Sequence, residues 1–226
     1  MKTKDRIILA GLDLFNEQGE RNVSTNHIAA HLNMSPGNLY YHFRNKSEII
    51  YQIFKSYELL VDTYLHVPPK RAISLSDLIA YLDSVFNGLW AYRFFHRDLE
   101  HLLDSDALLR SEYRVFTLRC IDGIQSIIAA LEQSELFAAQ RDQDRESKAL
   151  NVWLLVTNWM TFLKSMHHDQ SAPATQRDAI RHGVYQVLDF IVPSVVVDQQ
   201  VALKTLQSRY YFDGVIPDLR LKTHVS

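Results

Sequence analysis

The 226-residue chain has a single cysteine, Cys120, so no intramolecular disulfide can brace it, and this scarcity suits a reducing, cytoplasmic setting. Glycine is also scarce, at seven residues, and none of them cluster into the Gly-rich loop that cradles a nucleotide phosphate. Neither a Gly-x-Ser-x-Gly elbow nor a His-Glu-x-x-His helix occurs, so catalysis has no foothold and neither an enzyme nor a cofactor is expected. No apolar run approaches the roughly 20 residues that span a bilayer. The opening MKTKDRIILAG lacks the long apolar stretch of a secretory signal. Charge is nearly balanced, and a net −2 is not the balance of a generic nucleic-acid coat.

What the sequence does contain is helical periodicity. With 47% apolar residues the chain can bury a sizeable core. Ile7, Ala10, Gly11, Leu14 and Phe15 form one stripe. Ser47 can cap a longer helix striped by Ile50, Ile53, Phe54, Tyr57, Leu60, Val61 and Tyr64. Further helices are expected over about 74–92, 94–103, 106–134, 147–168 and 175–192, with Gln140–Ser147 as the clearest loop. No strand run stands out in residues 1–192, so the expected class is all-α. The tail, 193–226, carries an amphipathic patch and a Tyr210-Tyr211-Phe212 cluster to which the sequence assigns no role.

The most specific stretch is STNHIAAHLNMSPGNLYYHFRNK, residues 24–46. Ser24 can cap a short helix carrying Ile28, Ala29 and Leu32 on one face. The pattern breaks over Asn33-Met34, and Ser35-Pro36 restarts it as a cap followed by a helix-compatible proline. Two short helices joined by a tight turn, the second rich in polar and aromatic groups, describe a helix-turn-helix that sets its second helix in a major groove. Tyr40, Tyr41, His42 and Lys46 suit phosphate contacts. Gly37 and Asn38, near the N-terminus of that helix, suit base edges, and Pro36 offers an apolar contact. Leu39 and Phe43 read as core, and His27 and His31 as exposed surface. Residues 1–47 hold six Lys/Arg against four Asp/Glu, a net +2 that leaves −4 for the rest. This asymmetry suits a DNA-facing head on a body that avoids DNA.

Residues 5–50 resemble the DNA-binding domain of the tetracycline-repressor (TetR) family. The first helix closes at Gly19, and the order Ser-x-Gly-x-Leu-Tyr-x-His-Phe-x-x-Lys runs unbroken from Ser35 to Lys46. The resemblance implies an N-terminal three-helix DNA-binding domain, 1–47, and a C-terminal helical ligand-binding and dimerisation domain, 48–226. It sets the Tyr40, Tyr41, His42 and Lys46 positions against the DNA backbone and adds Thr25 and Asn26 at the start of the preceding helix. The partners it implies are a palindromic double-stranded operator and a second copy of the chain.

Helices 147–168 and 175–192 are apolar on more than one face. Such helices must be buried all round, and a homodimer through them is the economical solution. The plain alternative is a monomeric core with these helices at its centre. For an effector, the candidate lining is Phe86, Trp90, His96, His101, Tyr113, Phe116 and Trp153, which favours a small apolar or amphipathic molecule. Against this stands the ordinary reading of aromatic residues at helical spacing as core. No metal site is expected. His96 and Glu100 share a face at i, i+4, but the His96/His101 and His167/His168 pairs are spaced at i, i+5 and i, i+1. Cys120 lies on an apolar stripe, which argues against a redox sensor. The expected function is a homodimeric transcriptional repressor released from its operator by a ligand. The alternative is an architectural or partner-recruiting DNA-binding protein without a ligand.

Overall fold

The computed structural model describes residues 1–69, 71–166 and 173–213, the side chains of 173–175 excepted. Among these residues the fold is all-α, with one isolated antiparallel bridge between Phe137 and Val195. None of the described helices is long and apolar enough to cross a membrane. Two compact units emerge, Met1–His66 with Gly88–Asp122 and Val67–Asn87 with Gly123–Ser226. Helices α5 (Leu75–Ala91) and α8 (Ala107–Gln133) each contribute to both.

In the first unit, α1 (Thr3–Gln18) buries the expected stripe of Ile7, Ala10, Gly11, Leu14 and Phe15. Gly11 permits close packing, since a Cβ there would stand 3.1 Å from Ile49 Cγ2. The helix ends at Gly19, whose φ of +84° lies in the region that glycine enters without strain. A 3-10 turn, Glu20–Asn22, leads to α2 (Thr25–His31), and α3 (Pro36–His42) follows. The break at Asn33-Met34 is a Schellman cap. Asn33, at φ +53°, donates its N–H to Ala30 O and Met34 donates to Ala29 O, both at 3.0 Å.

Helix α4 (Lys46–Asp62) starts before the expected Ser47 cap. Asn45 Oδ1 accepts the Glu48 N–H at 2.9 Å, and Glu48 Oε2 accepts the Arg44 N–H at 2.8 Å. Two orphan donors are thereby satisfied reciprocally, which outcompetes a serine cap further on. The segment expected as one helix over 94–103 is two, α6 (Arg93–Arg97) and α7 (Leu99–Ser105), broken at Asp98. Phe54 stacks on Phe95 (5.4 Å between ring centres) and meets Phe116 edge-on (5.7 Å), while Phe15 packs on Phe94. Aromatic pairs of this kind add stabilisation beyond the area they bury.

In the second unit, α5 begins behind Ser74, which exchanges hydrogen bonds with Asp77. Helix α9 (Asp142–Met166) begins inside the stretch expected as a loop. Its first turn carries Asp142 and Asp144, paired with Arg145 and Arg141, and acids favour a helix N-terminus. That solvated turn has no apolar residues to reveal it. In α10 (Pro173–Ile191), a Cβ on Gly183 would fall 2.2 Å from Phe86 Cε1, so the missing side chain is the space the Phe86 ring occupies.

Residues 193–213 of the tail are integral to this unit. After a 3-10 turn, Val192–Ser194, comes α11 (Val197–Gln207). Tyr210 Oη then donates to Asp83 Oδ2 at 2.6 Å and Phe212 N–H donates to His182 Nδ1 at 3.1 Å. His167, His168 and residues 214–226 lie outside the described residues.

Candidate nucleic-acid interface

The helix-turn-helix is held by reciprocal caps. Ser24 Oγ accepts the His27 N–H and His27 Nδ1 accepts the Ser24 N–H, both at 3.3 Å. His27 is exposed, as expected, and also completes the cap of α2. Ser35 Oγ accepts the Asn38 N–H at 3.2 Å, with Pro36 in the first turn of α3. On the inner side, Leu39 and Phe43 are buried, as their spacing predicts.

The outer side of α3 is free. Ser35, Pro36, Gly37, Asn38, Tyr40 and Tyr41 are exposed, Tyr41 at 84%, while His42 is half-buried with its ring edge against Tyr41. Asn26 is exposed at the start of α2, and half-buried Thr25 meets Tyr40 through their hydroxyls at 3.0 Å. Apart from its chain neighbours and the helix's own backbone, nothing lies within 4 Å of where a Gly37 Cβ would stand. The caps, the buried pair and the exposed hydroxyls and amides present a rigid polar helix edge, which is what groove recognition requires.

Lys46 is placed differently from the rest of this set. Its ammonium sits 2.6 Å from Glu20 Oε1 and donates to the Glu20 carbonyl at 3.0 Å, so it already has a partner in the free chain. The buried Glu20 carboxylate also lies 3.7 Å from His101 Nε2 in α7.

The candidate effector residues do not form one cluster. His96, Tyr113 and Phe116 join Phe54, Tyr57 and Phe95 in the aromatic core of the first unit. There the buried His96 Nε2 meets Tyr57 Oη at 2.9 Å. Burial pushes the His96 imidazole down to about 4 and the Tyr113 phenol up to about 12. Trp90 has a separate partner, the Arg93 guanidinium over its ring, and His101 faces Glu20. Phe86 and Trp153 belong to the second unit, where Phe86 is packed against Gly183. Cys120 is buried, and burial pushes its thiol up to about 12, so it stays protonated at neutral pH. A groove of about 250 Å³ beside His42, Phe43 and Tyr51 is lined by none of the candidate effector residues.

Three residues of consequence carry no sequence signal. Glu20 is one. Asn16 is the second: its side-chain amide donates to Ala91 O at 2.8 Å and accepts the Phe94 N–H at 3.0 Å. Arg97 is the third, donating to Phe15 O at 2.9 Å. Together Asn16 and Arg97 fasten the end of α1 to α6. Periodicity cannot reveal them, because their partners lie far along the chain and are mostly backbone atoms.

Comparison with known proteins supports this geometry. The family described as "Bacterial regulatory proteins, tetR family" matches residues 7–53, and "TetR: Bacterial transcriptional repressor" matches residues 56–202. A TetR-family transcriptional regulator from Marinobacter aquaeolei VT8 is 52% identical, with 94% of this chain and 100% of that one covered and a TM-score of 0.86. A transcriptional regulator from Saccharomonospora viridis in complex with choline is 19% identical, covering 83% and 94% at a TM-score of 0.64. SmeT, the repressor of the Stenotrophomonas maltophilia multidrug efflux pump SmeDEF, is 17% identical, covering 96% and 97% at 0.62. The last two likenesses concern the fold alone.

Proposed function

The chain belongs to the TetR family of bacterial transcriptional regulators, and on that premise we propose that it is a homodimeric repressor, released from a palindromic operator by a small effector. The observation that carries this reading is the free outer edge of α3, held rigid by Ser35 and by Leu39 and Phe43 beneath. In the proposed complex, Gly37 and Asn38 read base edges and Pro36 packs on them. Thr25, Asn26, Ser35, Tyr40, Tyr41 and His42 hold the backbone, and Lys46 reaches phosphate only by leaving Glu20. Residues 1–47 serve as the DNA-binding domain and 48–226 as the regulatory one.

Dimerisation is assigned to the 147–168 and 175–192 region. The support is the exposure of apolar side chains there, Leu150, Leu154 and Phe190. Two recognition helices about 34–36 Å apart can then meet successive turns of DNA. For the effector, the choline complex of the Saccharomonospora viridis protein shows that one protein of this fold holds a small molecule. In this chain an apolar or amphipathic effector would enter the aromatic cluster around Tyr57, with the Tyr57–His96 pair as its polar handle. Displacement of α6 would pass to α1 through Asn16 and Arg97, and release follows if the effector favours the displaced state.

Selection of bound duplexes from a random library, followed by fluorescence anisotropy, tests the reading. A two-fold symmetric sequence bound on the order of 10³-fold more tightly than random DNA, by two chains per duplex, is expected. Equal affinity for all duplexes would leave only an architectural DNA-binding role.

A further inference from the structure

We propose that Glu20 masks Lys46, so that the free head binds DNA below its electrostatic capacity; the inference rests on α2 and α3 being the DNA-binding surface. Lys46 opens α4, directly behind the recognition helix and its turn. Its ammonium is held twice by one residue, at 2.6 Å by Glu20 Oε1 and at 3.0 Å by the Glu20 carbonyl. The Glu20 side chain is only 5% exposed, whereas Lys46 retains 30%, so the cation is reachable from solvent while its counter-charge is not.

Two consequences follow. A lysine already neutralised by a carboxylate displaces no net counterion when DNA approaches, because moving to a phosphate strands the charge it leaves. Here the stranded charge is a buried carboxylate whose remaining neighbour is His101 Nε2 at 3.7 Å, a costly state for an ion out of water. Arg97 is engaged with Phe15 O and Asp98 and offers no replacement, and Arg21, in the same turn, is exposed to solvent. Lys46 therefore stays on Glu20 against weak, non-specific DNA and is given up only where other contacts hold the backbone close.

The test is a salt titration of binding to a random-sequence duplex, for wild type, Glu20→Gln, Lys46→Met and the double variant. Glutamine keeps an acceptor for the ammonium and removes the charge. Glu20→Gln is expected to bind about eightfold more tightly at 0.1 M salt, with a salt slope steeper by about 0.9. Lys46→Met alone leaves the slope unchanged, and in the double variant the gain disappears. Glu20→Gln also lowers the unfolding midpoint, so affinity and stability move in opposite directions, which a merely structural residue would not produce. A folded Glu20→Gln that binds no more tightly than wild type overturns the proposal. So does a drop in slope of about 0.9 from Lys46→Met alone, a measurement that decides the matter even if Glu20→Gln does not fold. Wild type that binds no duplex at all would overturn the DNA-binding reading itself, and the masking with it.

Discussion

Thr25 Oγ1 and Tyr40 Oη stand 3.0 Å apart, so the first residue of α2 is tied to the outer edge of α3 by two side chains that face solvent. Neither hydroxyl is needed to fill the core, where Ile28 and Leu39 are fully buried. In the proposed complex a phosphate oxygen would join the two hydroxyls. An exposed hydrogen bond of this kind contributes little to folding, and its geometry matters to a ligand. Tyr40→Phe and Thr25→Val should each leave the unfolding midpoint nearly unchanged. Each should weaken duplex binding by about 1 kcal/mol, or about fivefold, with smaller added loss in the double variant. Wild-type binding in both would take this pair out of the interface.

Gly37 offers a second separation of folding from binding. It lies in the first turn of α3, its surroundings are empty, and its backbone is not left-handed. Nothing in the free chain requires glycine, which costs a helix up to about 1 kcal/mol relative to alanine. Gly37→Ala should therefore raise the thermal midpoint slightly. If the helix backbone at this point comes against a base edge, the same methyl should weaken operator binding at least tenfold. Unchanged binding with raised stability would show that the groove leaves room there.

The arrangement around these residues was legible in sequence to an uneven degree. The caps at Ser24 and Ser35, the turn at Asn33 and the buried Leu39 and Phe43 follow from local chemistry within a few residues, and all are present. The Asn45 cap was equally local, but the serine two residues on obscured it. Helix α9 began early because its first turn is stabilised by charge pairs, to which apolar periodicity is blind. The Lys46–Glu20 and Asn16–Phe94 contacts join residues that only the completed fold brings together, and no spacing rule could have named them. The aromatic residues at helical spacing gave position but not partner. His96 and Phe116 share a cluster, whereas Phe86 belongs beside Gly183.

Acid should weaken the first unit through His96. Its imidazole is buried, meets Tyr57 Oη, and is pushed by burial from about 6.5 down to about 4. Folding therefore favours the neutral ring. Above pH 6.5 the full contribution is present, because both folded and unfolded states are neutral there. Between pH 6.5 and 4 the unfolded chain takes up the proton first, so stability falls as pH falls, by a few kcal/mol in all. Denaturant unfolding followed from pH 7.5 to 4.5 should show this slope, and His96→Gln should flatten it. An unaltered slope in that variant would assign the acid sensitivity to other groups.

The proposed homodimer can be tested at positions that the burial of α9 and α10 separates. Val184 and Leu188 lie on α10, within the helix pair expected to form the interface, yet both are fully buried within a single chain. A charge at either would be trapped without a partner in the protomer core, and the chain should unfold rather than dissociate. Leu150 and Leu154, one turn apart on α9, are 45% and 47% exposed. Burying them against a second copy is what the proposed homodimer requires, and a charge there should disrupt association while leaving the protomer intact. Leu150→Glu with Leu154→Glu is thus expected to give a soluble, helical monomer by sedimentation, with a wild-type midpoint corrected for concentration. Its operator affinity should fall by orders of magnitude, because each half-site is then bound alone. Val184→Glu should instead appear as insoluble or unfolded chain. A Leu150→Glu, Leu154→Glu variant that still sediments as a dimer would place the interface on another face, with the exposed α8 residues Leu108, Val115 and Leu118 next to be tried.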